Sequence, residues 1–120
     1  MDLNNCRKKN KLTAINLKKY IDDYGHVSFA ELTRDFEGFE GDELMFAGDA
    51  KKNVVLWANI SGNAVKQLNS LVKNKPYSFK PCNLLIYIVD GVCLKLPVAK
   101  RLSKQGYKKP RWLPCVLVKE

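Results

Sequence analysis

Apolar residues recur at helical spacing near the start of the chain, and they predict a helix over residues 13–24. Its apolar face is formed by Ala14, Leu17, Ile21 and Tyr24. Gly25 is expected to end this helix, because glycine readily adopts the left-handed conformation that follows many helices. His26 and Val27 are predicted to form a short link.

A second helix is predicted to begin at Ser28, because Ser28 and Glu31 have the spacing of a capping box. It runs to about residue 37 and buries Phe29, Leu32 and Phe36. Two helices joined by a short connection are the opening layout of helix-turn-helix and winged-helix domains. Many small helical hairpins share this layout.

The middle of the chain combines a polar loop, two strands and a third helix. Gly38, Gly41 and the neighbouring acids indicate a loop, and strands are expected at 44–46 and 53–60. Ser61 is predicted to cap a helix that ends at Lys75, before a proline.

The segment 84–96 has the pattern of a β-hairpin, with two apolar runs flanking Asp90-Gly91. A last strand is expected over 113–118, and residues 98–111 form a basic loop. The sequence therefore predicts an α+β fold that is winged-helix-like, with about three helices and β-hairpins. A basic flexible arm, 1–11, precedes a single domain, 12–120.

Charge is distributed unevenly along the chain, whose net charge is +9. Residues 21–50 contain nine acids and one base, whereas residues 51–120 contain fourteen bases and two acids. Basic surfaces of this strength attract polyanions, although lysines also serve simply to keep a small protein dissolved.

The residues for catalysis are largely missing, so we predict no enzyme activity, metal or cofactor. His26 is the only histidine, no phosphate-binding glycine motif occurs, and the four cysteines form no C-x-x-C pair. No apolar run is long enough to span a membrane, and no secretory signal is evident. We therefore expect a cytoplasmic protein with reduced thiols.

The basic loop is the main candidate for nucleic-acid binding, because cations contact phosphates and flat rings stack on unpaired bases. Its candidate residues are Lys100, Arg101, Lys104, Tyr107, Lys108, Lys109, Arg111 and Trp112. The two rings are equally suited to anchoring the loop to the core. Further candidates are Lys66 and Lys73 on the third helix and Arg7, Lys8 and Lys9 in the arm.

The acidic stretch 35–49 would repel DNA and is predicted to bind a basic partner protein. Its candidate residues are Glu40, Asp42, Glu43 and Asp49.

Four segments carry a resemblance to a known group of proteins: 53–61 (NVVLWANIS), 87–91 (YIVDG), 96–100 (LPVAK) and 107–114 (YKKPRWLP). Over about residues 27–118 the chain resembles small winged-helix-like proteins of mobile elements and phages of Gram-positive bacteria, such as the middle protein of the staphylococcal cassette chromosome replication operon. This resemblance implies a non-catalytic partner of an A-family DNA polymerase that helps it to prime DNA synthesis. No catalytic residue is carried over.

Three functions follow as alternatives. The first is a replication accessory subunit that binds a polymerase and DNA, most simply single-stranded template. The second is a single-stranded-DNA-binding or sequence-specific regulatory winged-helix protein, although no apolar seam for a regulator's dimer is evident. The third is a counter-defence inhibitor that binds a host protein and no DNA. The sequence leaves the oligomeric state open.

Overall fold

The computed structural model describes residues 9–73, 76–99 and 105–119, and its architecture is α+β as predicted. The described residues form four α-helices, where about three were expected, and two three-stranded sheets. The elements in chain order are α1 (Ala14–Tyr24), β1 (His26–Ser28), α2 (Phe29–Asp35), β2 (Glu40–Phe46), β3 (Val54–Ile60), α3 (Gly62–Lys73), β4 (Tyr77–Pro81), α4 (Leu85–Asp90), β5 (Arg111–Trp112) and β6 (Cys115–Lys119).

The helix boundaries follow from the local capping signals. Gly25 has φ 80° and donates its N–H to the carbonyl of Ile21 at the end of α1. The predicted capping box is confirmed, since the Ser28 hydroxyl accepts from the Glu31 N–H while the Glu31 carboxylate accepts from the Ser28 N–H. The Ser61 hydroxyl accepts from the Ala64 N–H at 3.1 Å, which caps α3 as expected.

Two small sheets pack around the shared core. The first is antiparallel throughout and has the strand order β1-β6-β4. The second has the order β2-β3-β5, with β2 antiparallel and β5 parallel to β3. The sequence reasoning missed β1, β4 and β5. It also assigned the acidic residues 40–43 to a loop, whereas they belong to β2.

Stacked and tilted aromatic rings fill the centre of the core. Phe29 stacks between Trp57 and Phe79, with ring centroids 5.6 Å apart on each side. Tyr87 packs against Trp57 at 5.3 Å and against Trp112 at 5.1 Å. This arrangement joins both sheets to α2 and α4, and it holds α4 and β5 against the core.

The predicted hairpin over 84–96 is wrong, because residues 85–90 form α4. Gly91 adopts φ 75°, and its N–H bonds to the carbonyl of Ile88 while the Val92 N–H bonds to that of Tyr87. This is a Schellman motif, the usual helix end at glycine. The positive φ of Gly91, which suggested a hairpin turn, therefore ends a helix instead.

Tyr87 anchors α4 to the core. Its hydroxyl donates to the Cys115 carbonyl at 2.6 Å and accepts from the Phe29 N–H at 3.0 Å. Burial raises the pKa of the Tyr87 hydroxyl well above its usual value, so the group stays protonated and able to donate. The face of α4 that carries Tyr87 is therefore fixed to the core, and its other faces are exposed.

The longest described helix is α3, with 12 residues. Within the described ranges, no helix combines the length and apolar character required to cross a membrane.

Candidate nucleic-acid interface

The ends of the basic loop are held side by side. The Ala99 N–H donates to the Trp112 carbonyl at 2.7 Å, and the Trp112 N–H donates to the Pro97 carbonyl at 2.8 Å. The loop therefore leaves and re-enters the fold at one place. Lys100, Arg101 and Lys104 lie outside the described residues, as do Arg7 and Lys8.

The returning half of this loop lies against the β2–β3 connection. The Tyr107 N–H donates to the Lys52 carbonyl at 2.9 Å, and the Asn53 side-chain amide donates to the Tyr107 carbonyl at 2.9 Å. The Arg111 N–H donates to the Asn53 carbonyl at 2.9 Å, where β5 joins β3. Asn53 itself has φ 59° at the end of the 3-10 turn Ala50–Lys52.

Gly106 makes this close approach possible. A Cβ placed there would lie 2.6 Å from the Lys52 Cα and 2.7 Å from the Lys52 carbonyl oxygen, and the glycine has φ 75°. Both the space and the backbone conformation therefore require glycine.

Two basic segments that are far apart in sequence thus meet. We call this surface the basic junction, and its cationic residues are Lys51, Lys52, Lys108, Lys109 and Arg111, all exposed. Among the described residues, the ion pairs join Arg34 to Asp35 and Lys119 to Asp22, so the lysines of the basic junction remain unpaired. The sequence reasoning missed Lys51 and Lys52, because their meeting with the loop depends on the pairing of β5 with β3.

The two aromatic candidates differ in accessibility. Trp112 is 1% exposed and packs in the core, so its ring has no open face for a base. Core anchoring is the role that the structure supports for it. Tyr107 is half-buried, and the Arg111 guanidinium lies 4.8 Å from its ring centroid. A base at this position would stack on the guanidinium plane.

Lys66 and Lys73 project from the outer face of α3. With Asn69 and Ser70 they line a shallow depression of about 320 Å³. Asn69 also lines a second cavity that extends to Gly48, at the start of the β2–β3 connection. This second cavity therefore lies between the α3 lysines and the β2–β3 connection.

The predicted partner-binding acids do not form one group. Glu40, Asp42 and Glu43 lie exposed along the first half of β2, and we call them the acidic edge. Asp49 lies beyond the other end of β2, where its carboxylate accepts from the Lys51 N–H at 3.0 Å. Asp49 therefore lies apart from the other candidate acids, on the connection that carries the basic junction.

Glu43 also has a structural position. Gly62 is the first residue of α3. A Cβ atom at this position would collide with the Glu43 carboxylate, so this carboxylate lies over the start of the helix. A negative charge is favourable at a helix N-terminus.

An apolar surface surrounds α4. It consists of Leu85, Ile86, Ile88, Val89 and Val92, which are between 38% and 83% exposed. We call it the α4 surface. Val92 shares a depression of about 390 Å³ with two acids, Glu40 and Asp90, and two bases, Lys9 and Arg34. The α4 surface is thus bordered by charged side chains of both signs, and the sequence reasoning missed it because it assigned these residues to a hairpin.

A buried polar cluster joins α1 to α2. The Tyr20 hydroxyl donates to the Asp35 carboxylate, which also accepts from the Arg34 guanidinium at 3.0 and 3.1 Å. Burial, followed by the bond to Asp35, raises the pKa of Tyr20. The Asp35 carbonyl accepts from the Asn10 N–H at 2.7 Å, so the cluster also holds the chain before α1. The Tyr20 hydroxyl, the Arg34 guanidinium and the Asp35 carboxylate hydrogen-bond to one another, which indicates a structural role.

No metal-binding cluster of three or more His, Cys, Asp or Glu side chains occurs among residues 9–73, 76–99 and 105–119. Cys115 is buried, which raises the pKa of its thiol to about 12, and burial also raises the pKa of Cys82. Raised pKa values disfavour the thiolate that a nucleophile or ligand requires. In comparisons of the chain with known proteins, no protein-family model, curated protein or solved structure matches it.

Proposed function

We propose that this protein is a non-catalytic accessory subunit that binds single-stranded nucleic acid and docks on a partner protein. The basic junction is the observation that carries the proposal, because it brings exposed cations from two separated segments together on one surface, and its lysines form no ion pair within the described residues. Such a surface contacts phosphates without reading their sequence.

The topology supports the finer proposal of a winged-helix-like fold. The order α1, β1, α2, α3, β4, β6 with the antiparallel sheet β1-β6-β4 would fit a winged helix in which the β2–β3 hairpin is an insertion between the second and third helices. On this proposal α3 would be the recognition helix, and the described parts of the basic loop would belong to the wing between β4 and β6. A recognition helix contacts DNA in the major groove.

The resemblance to proteins of mobile-element replication supplies the proposed partner, an A-family DNA polymerase that this subunit helps to prime. Starting a primer requires the template to be held without an existing duplex end. The basic junction would provide that hold, while the polymerase provides the metal ions and the chemistry. The same proposal places the protein in the cytoplasm.

Removal of two cations from the basic junction tests nucleic-acid binding. We expect Lys108→Ala/Lys109→Ala to reduce the slope of log K against log salt by about 1.4, because each single-strand phosphate contact contributes about 0.7. Anisotropy of a labelled oligo-dT strand across a salt series measures this slope. The control Lys18→Ala/Lys19→Ala, which changes two lysines of α1, removes the same charge elsewhere. Equal slopes for the two variants would mean that phosphates bind another surface.

The α4 surface is the proposed docking site for the polymerase. Large exposed apolar patches mark protein interfaces. The depression at the edge of the α4 surface is lined by Glu40 and Asp90 and also by Lys9 and Arg34, so the α4 surface fits a partner segment with apolar residues and flanking charges of both signs. The acidic edge begins at Glu40 and extends the same site.

A charge placed on the α4 surface tests docking. We expect Val89→Asp to weaken binding to the proposed A-family polymerase partner at least tenfold, since a buried carboxylate would lack a partner. Val89 is 83% exposed, so the fold should tolerate the change. Ile15→Asp is the control, because Ile15 is 77% exposed on α1. Surface plasmon resonance measures both, and equal affinities would contradict docking through α4.

The alternatives give different results in the same experiments. A sequence-specific regulator would bind a palindromic duplex as a dimer with little affinity for oligo-dT. An inhibitor of a host protein, which the exposed α4 surface also favours, would bind no nucleic acid at any salt concentration.

A further inference from the structure

The second cavity, which Asn69 lines, is an apolar groove between α3, the end of β2, and β4. Its volume is about 220 Å³, and its lining carries no charged side chain. The floor comes from buried residues such as Leu56 and Leu113, and Asn69 provides the one side-chain amide. The groove is separate from the α4 surface, since the two share no lining residue.

Two half-buried phenyl rings face into this groove, Phe46 from β2 and Phe79 from β4. Phe79 stacks on Phe29, which stacks on Trp57, so its orientation is fixed by the core before any ligand binds. A rigid ring at the wall of an open apolar groove is a surface on which another flat ring can stack.

The charges around the groove are cationic. Lys66 and Lys73 line the depression that shares Asn69 with the groove, and Lys51 and Lys52 follow Gly48 at its other end. Asp49 is the acid in this connection, and its carboxylate is occupied by the Lys51 N–H. A ligand with an apolar flat part and anionic groups on both sides matches this pattern.

We infer that the groove takes one unpaired nucleobase of the bound single strand, whose flanking phosphates contact the α3 lysines and the basic junction. This inference rests on the proposed function. The base stacks on Phe46 and Phe79, and the Asn69 amide, which both donates and accepts hydrogen bonds, contacts its polar edge. The volume agrees with a single base, since sites for drug-sized ligands measure about 300–1,000 Å³.

Two labelled strands of equal length and charge test the inference: oligo-dT, and the same strand with abasic residues throughout. Stacking of one base contributes about five- to a hundredfold in affinity. We expect the natural protein to prefer oligo-dT by at least about fivefold at fixed salt. Phe46→Ala should remove most of this preference and leave the salt slope unchanged. Leu44→Ala is the matched control, because Leu44 is a 45% exposed apolar residue of β2 outside the groove.

The outcomes separate this inference from the proposed function. Equal binding of the two strands by the natural protein would overturn the base site, while nucleic-acid binding through phosphates would stand. A preference that survives Phe46→Ala would also overturn it, because the bases would then stack elsewhere, as on Arg111. No binding of either strand would overturn both proposals. Loss of polymerase binding in Phe46→Ala, with strand binding intact, would assign the groove to the protein partner.

Discussion

Replacement of Gly106 by alanine is expected to detach the returning half of the basic loop from the β2–β3 connection. The new Cβ would lie 2.6 Å from the Lys52 Cα, closer than folded chains tolerate, and alanine is also strained at φ 75°. The Tyr107–Lys52 and Asn53–Tyr107 hydrogen bonds would be lost together. Lys108, Lys109 and Arg111 would then no longer be held beside Lys51 and Lys52.

Two measurements follow from this change. We expect the affinity for oligo-dT at low salt to fall about tenfold, because cations that were fixed in place must be ordered on binding. The free energy of unfolding should decrease by about 1–3 kcal/mol. Anisotropy and urea denaturation measure the two effects.

Gly25→Ala is the matched control for Gly106→Ala. Gly25 has φ 80°, but a Cβ there meets nothing within 4 Å. Gly25→Ala should therefore lower the free energy of unfolding only by the conformational strain, about 1 kcal/mol, and should leave the affinity for oligo-dT unchanged. A Gly106→Ala protein that binds oligo-dT like Gly25→Ala would show that the junction with Lys52 has no part in binding.

The Asp35→Ala variant is expected to have the largest effect on stability. Its carboxylate accepts from the buried Tyr20 hydroxyl and from Arg34, so alanine leaves a buried donor unpaired. We expect the free energy of unfolding to decrease by about 2–4 kcal/mol. The Arg34 side chain is 53% exposed and recovers solvation, which limits the loss.

Asp22→Ala provides the control in a matched setting. The Asp22 carboxylate also accepts from a tyrosine, Tyr77, at 3.0 Å and pairs with Lys119, but its side chain is 42% exposed. The expected loss is therefore below about 1 kcal/mol. Urea denaturation of both variants measures the difference, and equal losses would mean that burial of Asp35 does not set the cost.

The first three helices were predictable because their signals are local, whereas α4 was not. The spacing of Leu17 and Ile21, the Gly25 terminus and the Ser28 capping box specify α1 and α2 without reference to the rest of the chain. The strands β1, β4 and β5 were missed because short strands depend on distant partners. Residues His26–Ser28, for example, pair with Val116–Val118.

The candidate site was only partly predictable for the same reason. Clustering in sequence identified Lys108 and Lys109, but their meeting with Lys51 and Lys52 depends on Gly106 and on pairing of β5 with β3. Asp49 lies apart from Glu43 because much of β2 runs between them, and closeness in sequence does not reveal this separation. Trp112 was offered both roles, and its burial follows from contacts with Trp57 and Tyr87 that no local pattern shows.

The helical state of residues 85–90 depends on tertiary contacts more than on its own sequence. Leu-Ile-Tyr-Ile-Val is rich in residues that favour strands, it lacks charge and proline, and Tyr87 provides its buried anchor. Without that anchor, the same residues have the composition of segments that assemble into intermolecular cross-β stacks. A bound partner that covers the α4 surface would therefore also act as a safeguard against self-assembly, and the amount of intact protein in a cell would follow the supply of that partner.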